Sequence, residues 1–214
     1  MESKFYSLTP LYGFIFDKKA PQIVLNEIKV VVDKLLETKF KEASKHNTYL
    51  AGEIEHEYRF TVGNELEKYI QQMAIKYEDK TQHVRETINS KVRLDTREAW
   101  INFQQKHEYN PIHNHGGVFS WVLWYKIPFM FDGEERIQHK APLDSTNSKH
   151  GDFAFHYPTL VRGEIKITNM PLKMDNRGEG AFALFPSNLK HSVLPFYSSD
   201  EYRITVAGNV VAIK

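Results

Sequence analysis

Two periodicities divide the chain. In the first third, apolar residues recur at helical spacing: Val24, Ile28, Val31 and Leu35 fall on one stripe of a helix that starts near Pro21. Leu66, Tyr69, Ile70, Met73 and Tyr77 repeat that spacing from about Glu65 to Glu78. Between them, His46 to Gly63 reads as loop with a short strand around Glu53 to Phe60. After about Asp95 the texture changes. Segments become short, aromatic and β-branched, and Gly, Pro, Asn and Asp separate them. The predicted strands are Glu98–Gln105, Val118–Ile127, Gly151–His156, Glu164–Thr168, Gly180–Phe185, Ser192–Phe196 and Tyr202–Ile213. Helices followed by strands predict an α+β chain whose β part is a sandwich or barrel with helices packed outside it. We expect a single domain over 1–214, helical to about 95 and β from about 96. Phe131–Lys149 and Met170–Gly180 read as long polar loops. Loops on a rigid β scaffold are where substrate contacts collect.

Composition narrows the function. With 214 residues, 41% of them hydrophobic and 13% aromatic, the chain can bury a substantial core. A net charge of +1 argues against an electrostatic binder of nucleic acid or anionic lipid. The sequence has no long unbroken apolar run, and Met1-Glu-Ser-Lys-Phe-Tyr lacks the apolar core of a signal peptide. A cytoplasmic protein is the expectation. Cysteine is absent, which removes disulfides, thiolate nucleophiles and Cys-ligated metals. Any metal must be held by His, Asp or Glu. The chain has ten histidines, most of which read as solvated.

Three of them stand out. His113 and His115, in Asn110-Pro-Ile-His113-Asn-His115-Gly-Gly, sit at the mouth of a strand. Residues i and i+2 of a strand face the same way, so both rings can aim inward. His191 follows several strands later, where Phe185-Pro-Ser-Asn-Leu-Lys-His191 turns into a new strand. Arg203 and Thr205 share a face of the final strand, and Ile204 and Val206 flank the arginine. A buried guanidinium there calls for an anion, and a ligand carboxylate offers bidentate acceptors. Asn102 faces the same region one strand earlier. His107, His139, His150 and His156 read as surface or loop residues.

These motifs, in this order, resemble the Fe(II)/2-oxoglutarate-dependent oxygenases, in particular small members found in tailed bacteriophages and bacteria. The resemblance rests on Pro111-Ile-His113-Asn-His115 running into Ser120 and Tyr125, on Phe185 to His191, and on Tyr202-Arg203-Ile-Thr205 with Gly208-Asn209. It covers roughly residues 95 to 210. It implies a double-stranded β-helix, a jelly roll related to the cupins. It implies that His113 and His191 bind Fe(II). It implies that Arg203 and Thr205 bind the distal carboxylate of the cosubstrate 2-oxoglutarate. Tyr125 matches a tyrosine common in that group, either a donor to the cosubstrate or a core aromatic; by parity it and Ser120 lie on opposite faces of the strand, so both cannot line the pocket. The expected partners are O2 and an unidentified prime substrate, with hydroxylation as the reaction; a homodimer is compatible with this.

The chain departs from the resemblance at one position. Most of the superfamily has His-X-Asp or His-X-Glu at the first pair, whereas His115 stands there here. In one reading the iron sits among three histidines, since imidazole suits Fe(II) and three facial ligands leave three positions open. In another the site is degenerate. Asp152 or Glu164 swinging in is a third option. Two rivals differ in class: a three-histidine cupin-type dioxygenase without 2-oxoglutarate, and a non-catalytic β-sandwich module. Iron content separates the last from both enzymes, and dependence on 2-oxoglutarate separates the enzymes.

Overall fold

The computed structural model describes residues 3–9, 12–41, 43–46, 52–88, 92–131 and 150–213. Most of the loop expected over Phe131–Lys149, and His139 with it, lies outside them. The chain opens with a hairpin, β1 (Lys4–Thr9) and β2 (Tyr12–Asp17), that the sequence reading did not anticipate. Helix α1 (Gln22–Glu37) follows Pro21, whose extended conformation suits the residue just before a first helical turn. It buries Val24, Ile28 and Val32. Helix α2 (Asn64–Thr81) buries Leu66, Tyr69, Ile70, Met73, Ala74 and Tyr77, the stripe that the sequence marks. Its N-terminus is capped from α1: the Glu65 and Leu66 amides donate to the Glu27 carboxylate at 3.0 and 3.3 Å. A Cβ on the preceding Gly63 would lie 2.1 Å from Glu27 Oε1, so glycine makes room for this cap. The carboxylate satisfies orphan amides at the positive end of the helix dipole. A short helix, α3 (His83–Ile88), leads to the β core.

The remaining strands are β3 (Glu57–Arg59), β4 (Arg93–Gln104), β5 (Asn110–His113), β6 (Phe119–Lys126), β7 (Phe153–Val161), β8 (Glu164–Leu172), β9 (Phe182–Pro186), β10 (Lys190–Val193) and β11 (Arg203–Ile213). They form a seven-stranded sheet, ordered β1-β2-β9-β6-β11-β4-β3, and a four-stranded sheet, ordered β5-β10-β7-β8. Pairing is antiparallel throughout. The result is a two-sheet jelly roll with helices on one side, the expected α+β class. No helix among the described residues is long and apolar enough to cross a membrane.

Strand parity sorts the large sheet's two faces. Ile101, Phe103, Leu123, Ile204 and Val206 join α1 and α2 in one apolar core. Between the sheets, Phe14, Val122, Phe153, Phe155, Ala183 and Phe185 build a second core. The large sheet is apolar on both faces, so its strands lack the strict alternation of a solvent-facing sheet. At one side of the sandwich the segment before β3 bridges the sheets. The Glu53 amide donates to Tyr109 O beside β5, and the Phe103 amide of β4 donates to His56 O. On the far side β7 and β8 extend as a hairpin whose turn, Arg162-Gly163, has both φ angles positive, 53° and 83°.

Candidate functional site

Between the two sheets lies a cavity of about 750 Å³, of the size that takes a small ligand. The small sheet supplies one wall. His191 of β10 stands directly across from His113 of β5 in the ladder. His115 lies beyond the end of β5, where its amide donates to Ser187 O at 2.9 Å. The ring centroids of His113 and His191 are 4.3 Å apart, those of His113 and His115 4.9 Å, and those of His115 and His191 5.1 Å. One nitrogen from each ring lies within 4.8 Å of the others, a separation that a single metal ion can span.

Burial and mutual repulsion set the protonation of these rings. Burial lowers the pKa of all three: His113 falls, His115 falls to about 4, and His191 falls well below the ordinary value. Their mutual repulsion lowers His115 and His191 further. All three are therefore neutral at pH 7, the state in which imidazole can bind a metal. Carbonyl oxygens select the tautomer. Pro111 O lies 2.7 Å from His113 Nδ1, and Leu189 O lies 3.1 Å from His191 Nδ1. A carbonyl accepts only, so each Nδ1 carries the proton and each Nε2 keeps its lone pair. Among the described residues no carboxylate joins this set. Asp152 is buried away from the cavity lining, and Glu164 is exposed at the start of β8.

The opposite wall is the inner face of the large sheet. Arg203, Thr205, Asn102 and Asn209 line it. Arg203 is 2% exposed. Its Nε and Nη2 donate to Gln104 Oε1 at 2.9 and 2.6 Å. Nη1 donates to Gly151 O at 2.7 Å and Nη2 to Leu194 O at 2.9 Å. The guanidinium also lies 5.7 and 5.6 Å from the ring centroids of Phe129 and Phe196. Neutral oxygens and aromatic faces thus contribute to holding this charge. Its place on the cavity wall is what bears on a ligand. A polar chain extends that wall: Ser120 Oγ lies 2.9 Å from Asn209 Oδ1 and 3.1 Å from Ser187 Oγ, and Asn209 Nδ2 donates to Glu98 Oε2 at 3.1 Å.

Tyr125 is a correction. It lies on the helix side of β6, the face of Leu123, and borders a separate surface pocket with Lys29 and Asn26 of α1. The sheet stands between it and the histidines, so it cannot donate to a ligand there. Ser120, of the opposite parity, does line the cavity. The sequence reading missed Glu57, which lines the cavity at 1% exposure. Its only local signal is a period-two polar run, Glu53-Ile-Glu-His-Glu, which does not say which carboxylate is buried.

Residues 98–209 match the model of a family described as "Putative 2OG-Fe(II) oxygenase", a span that includes the three histidines, Arg203 and Thr205. The crystal structure of a prolyl-4-hydroxylase from Pseudomonas putida superposes with a TM-score of 0.53 at 10% identity, covering 95% of this chain and 94% of that one. At that identity the likeness concerns the fold alone, here the double-stranded β-helix. No curated protein matches the chain.

Proposed function

The chain belongs to the 2OG-Fe(II) oxygenase family, and from that premise we propose that His113, His115 and His191 hold the iron while Arg203 and Thr205 receive the distal carboxylate of 2-oxoglutarate. The family makes the protein an Fe(II)- and 2-oxoglutarate-dependent dioxygenase that consumes O2. One observation carries the site assignment: three neutral imidazoles converge in the same cavity that Arg203 lines.

The residues fit the metal. The three rings offer nitrogen donors of intermediate softness, which suit Fe(II), and three donors would leave coordination positions for other ligands. They fit the cosubstrate as well. The Arg203 guanidinium, held by Gln104, Gly151 and Leu194, places a positive charge on the cavity wall for a carboxylate, and Thr205, one pleat repeat along β11, adds a hydroxyl. Bound iron and 2-oxoglutarate would supply the oxidising chemistry, with O2 as oxidant, succinate and CO2 as products, and a hydroxylated substrate. The protein's share is positional. Pro111 O and Leu189 O keep the ligating nitrogens unprotonated. Phe153 and Phe185 wall His191 from water, with ring centroids 5.4 and 5.0 Å away. Gln104 fixes the Arg203 fork. Three histidines carry one negative charge fewer than the superfamily's usual set, which lowers the attraction for the cation without removing a donor.

The test is spectroscopic. Protein mixed with Fe(II) and 2-oxoglutarate under nitrogen should develop the weak visible band of a chelated 2-oxo acid. Admitting O2 should bleach it and release succinate. A wild type without band or succinate, beside a His115→Asp variant with both, would mean that this chain has lost the activity. Iron binding with no response to 2-oxoglutarate would favour the three-histidine, cosubstrate-free chemistry.

A further inference from the structure

We infer that the cavity takes a prime substrate bearing a cationic nitrogen, an alkylammonium or a guanidinium, and that Glu57 and Asn102 read that group. The inference deepens the site assignment above and rests on it. Glu57 of β3 and Asn102 of β4 are register partners. Cross-strand partners hold their side chains about 5 Å apart on one face of the sheet. Both line the cavity, at 1% and 7% exposure. Among the described residues, Glu57 Oε2 and Asn102 Oδ1 have no hydrogen-bond partner. Buried polar atoms are almost always paired, so two adjacent orphan acceptors on a cavity wall are places for a donor.

The chemistry of that donor follows from the pair. An ammonium brings three N–H donors and a guanidinium five, enough for both oxygens at once. The Asn102 amide can turn to meet either a donor or an acceptor, so the carboxyl decides. A desolvated carboxyl gains far more from a cation than from a neutral amide. Burial alone raises Glu57, to about 8. Arg59, on the same face of β3, is exposed. Trp100, one pleat repeat along β4 from Asn102 (about 7 Å), lines the wall beside the pair, with the His46 ring stacked on it. Its ring centroid lies 5.2 Å from that of His115. A cationic head at Glu57 would therefore leave the carbons behind it alongside Trp100 and facing the histidines.

The experiment uses four probes of matched shape: the N-acetyl methylamides of lysine, norleucine, arginine and citrulline. Each is titrated by calorimetry into protein loaded with Fe(II) and 2-oxoglutarate under nitrogen. At least one charged probe should bind tenfold or more tightly than its neutral partner. Glu57→Gln should reduce that ratio to threefold or less, with its folding checked by circular dichroism. Equal binding within each pair, no binding of any probe, or an undiminished ratio in Glu57→Gln would overturn the inference. A preference for citrulline over arginine would also overturn it and make Glu57 a neutral donor to a carbonyl. The visible band separates the two failures. Its absence sinks the metal and cosubstrate assignment. Its presence without charge discrimination sinks only the reading of Glu57 and Asn102.

Discussion

Replacing Glu57 by Gln should change how stability depends on pH, by an amount that follows from the burial of its carboxyl. Burial raises the Glu57 pKa from an ordinary 4.5 to about 8. A folded-state pKa above the unfolded one gives stability that is present below the unfolded value and lost as pH rises through the folded value. From pH 4.5 to 8 the unfolded chain has released this proton and the folded one has not, so unfolding becomes easier as pH rises. At about 1.36 kcal/mol per pKa unit, this group contributes a loss of roughly 3 kcal/mol between pH 5 and pH 7.5. Gln keeps the shape and removes the titration. Near the carboxyl, Asn102 is neutral and Arg59 is exposed, so neither supplies a compensating titration. The histidines titrate in both proteins and cancel in the comparison. Urea unfolding at pH 5, 6.5 and 7.5 reads the difference directly. The variant should match the wild type within about 1 kcal/mol at pH 5 and exceed it by several at pH 7.5. Parallel curves across that range would refute a buried, uncompensated carboxyl.

Three further outcomes are expected. Zinc or Fe(II) at a hundredfold excess over its Kd should stabilise the wild type by about 2.7 kcal/mol, and His191→Ala should abolish that shift in a thermal melt. Arg203→Lys should weaken 2-oxoglutarate binding by tenfold or more, about 1.4 kcal/mol, because an ammonium cannot keep the donors to Gln104, Gly151 and Leu194 that hold the charge in place on the cavity wall; Tyr125→Phe, across the sheet, should leave the binding isotherm unchanged. Gly208→Ala should cost roughly 1–3 kcal/mol by overpacking, since its Cβ would sit 2.5 Å from Glu98 O and 2.8 Å from Trp121 Cζ2, visible as a shifted urea midpoint.

Much of this was legible in the sequence because strands and helices impose fixed periods. Spacing at 3.6 residues located α1 and α2, and parity on β11 put Arg203 and Thr205 on the cavity side. Parity also set Ser120 against Tyr125, and the structure resolves that pair in favour of Ser120. The N-terminal hairpin escaped because β2 buries residues on both faces, with Ile15 toward the helices and Phe14 toward the small sheet. An apolar run without alternation does not announce a strand. Glu57 escaped for a different reason. Its burial comes from a segment that reaches Tyr109 and Phe103 across the open side of the sandwich, contacts that no window of local sequence contains. The aromatic and amide surroundings of Arg203 are likewise assembled from distant segments, around Phe129, Gly151, Leu194 and Gln104.

His113 and His191 are locked into a ladder, each ring aimed by the strand that carries it. His115 is not: it sits past the end of β5, where its backbone amide donates a hydrogen bond to Ser187 O. Any residue can make that backbone bond, so the identity of the third side chain is decoupled from the integrity of the sheet. This corner of the site is therefore free to drift over generations. A lineage could exchange imidazole for carboxylate through one codon's worth of change, keep the jelly roll intact, and let selection act on the oxidation chemistry alone.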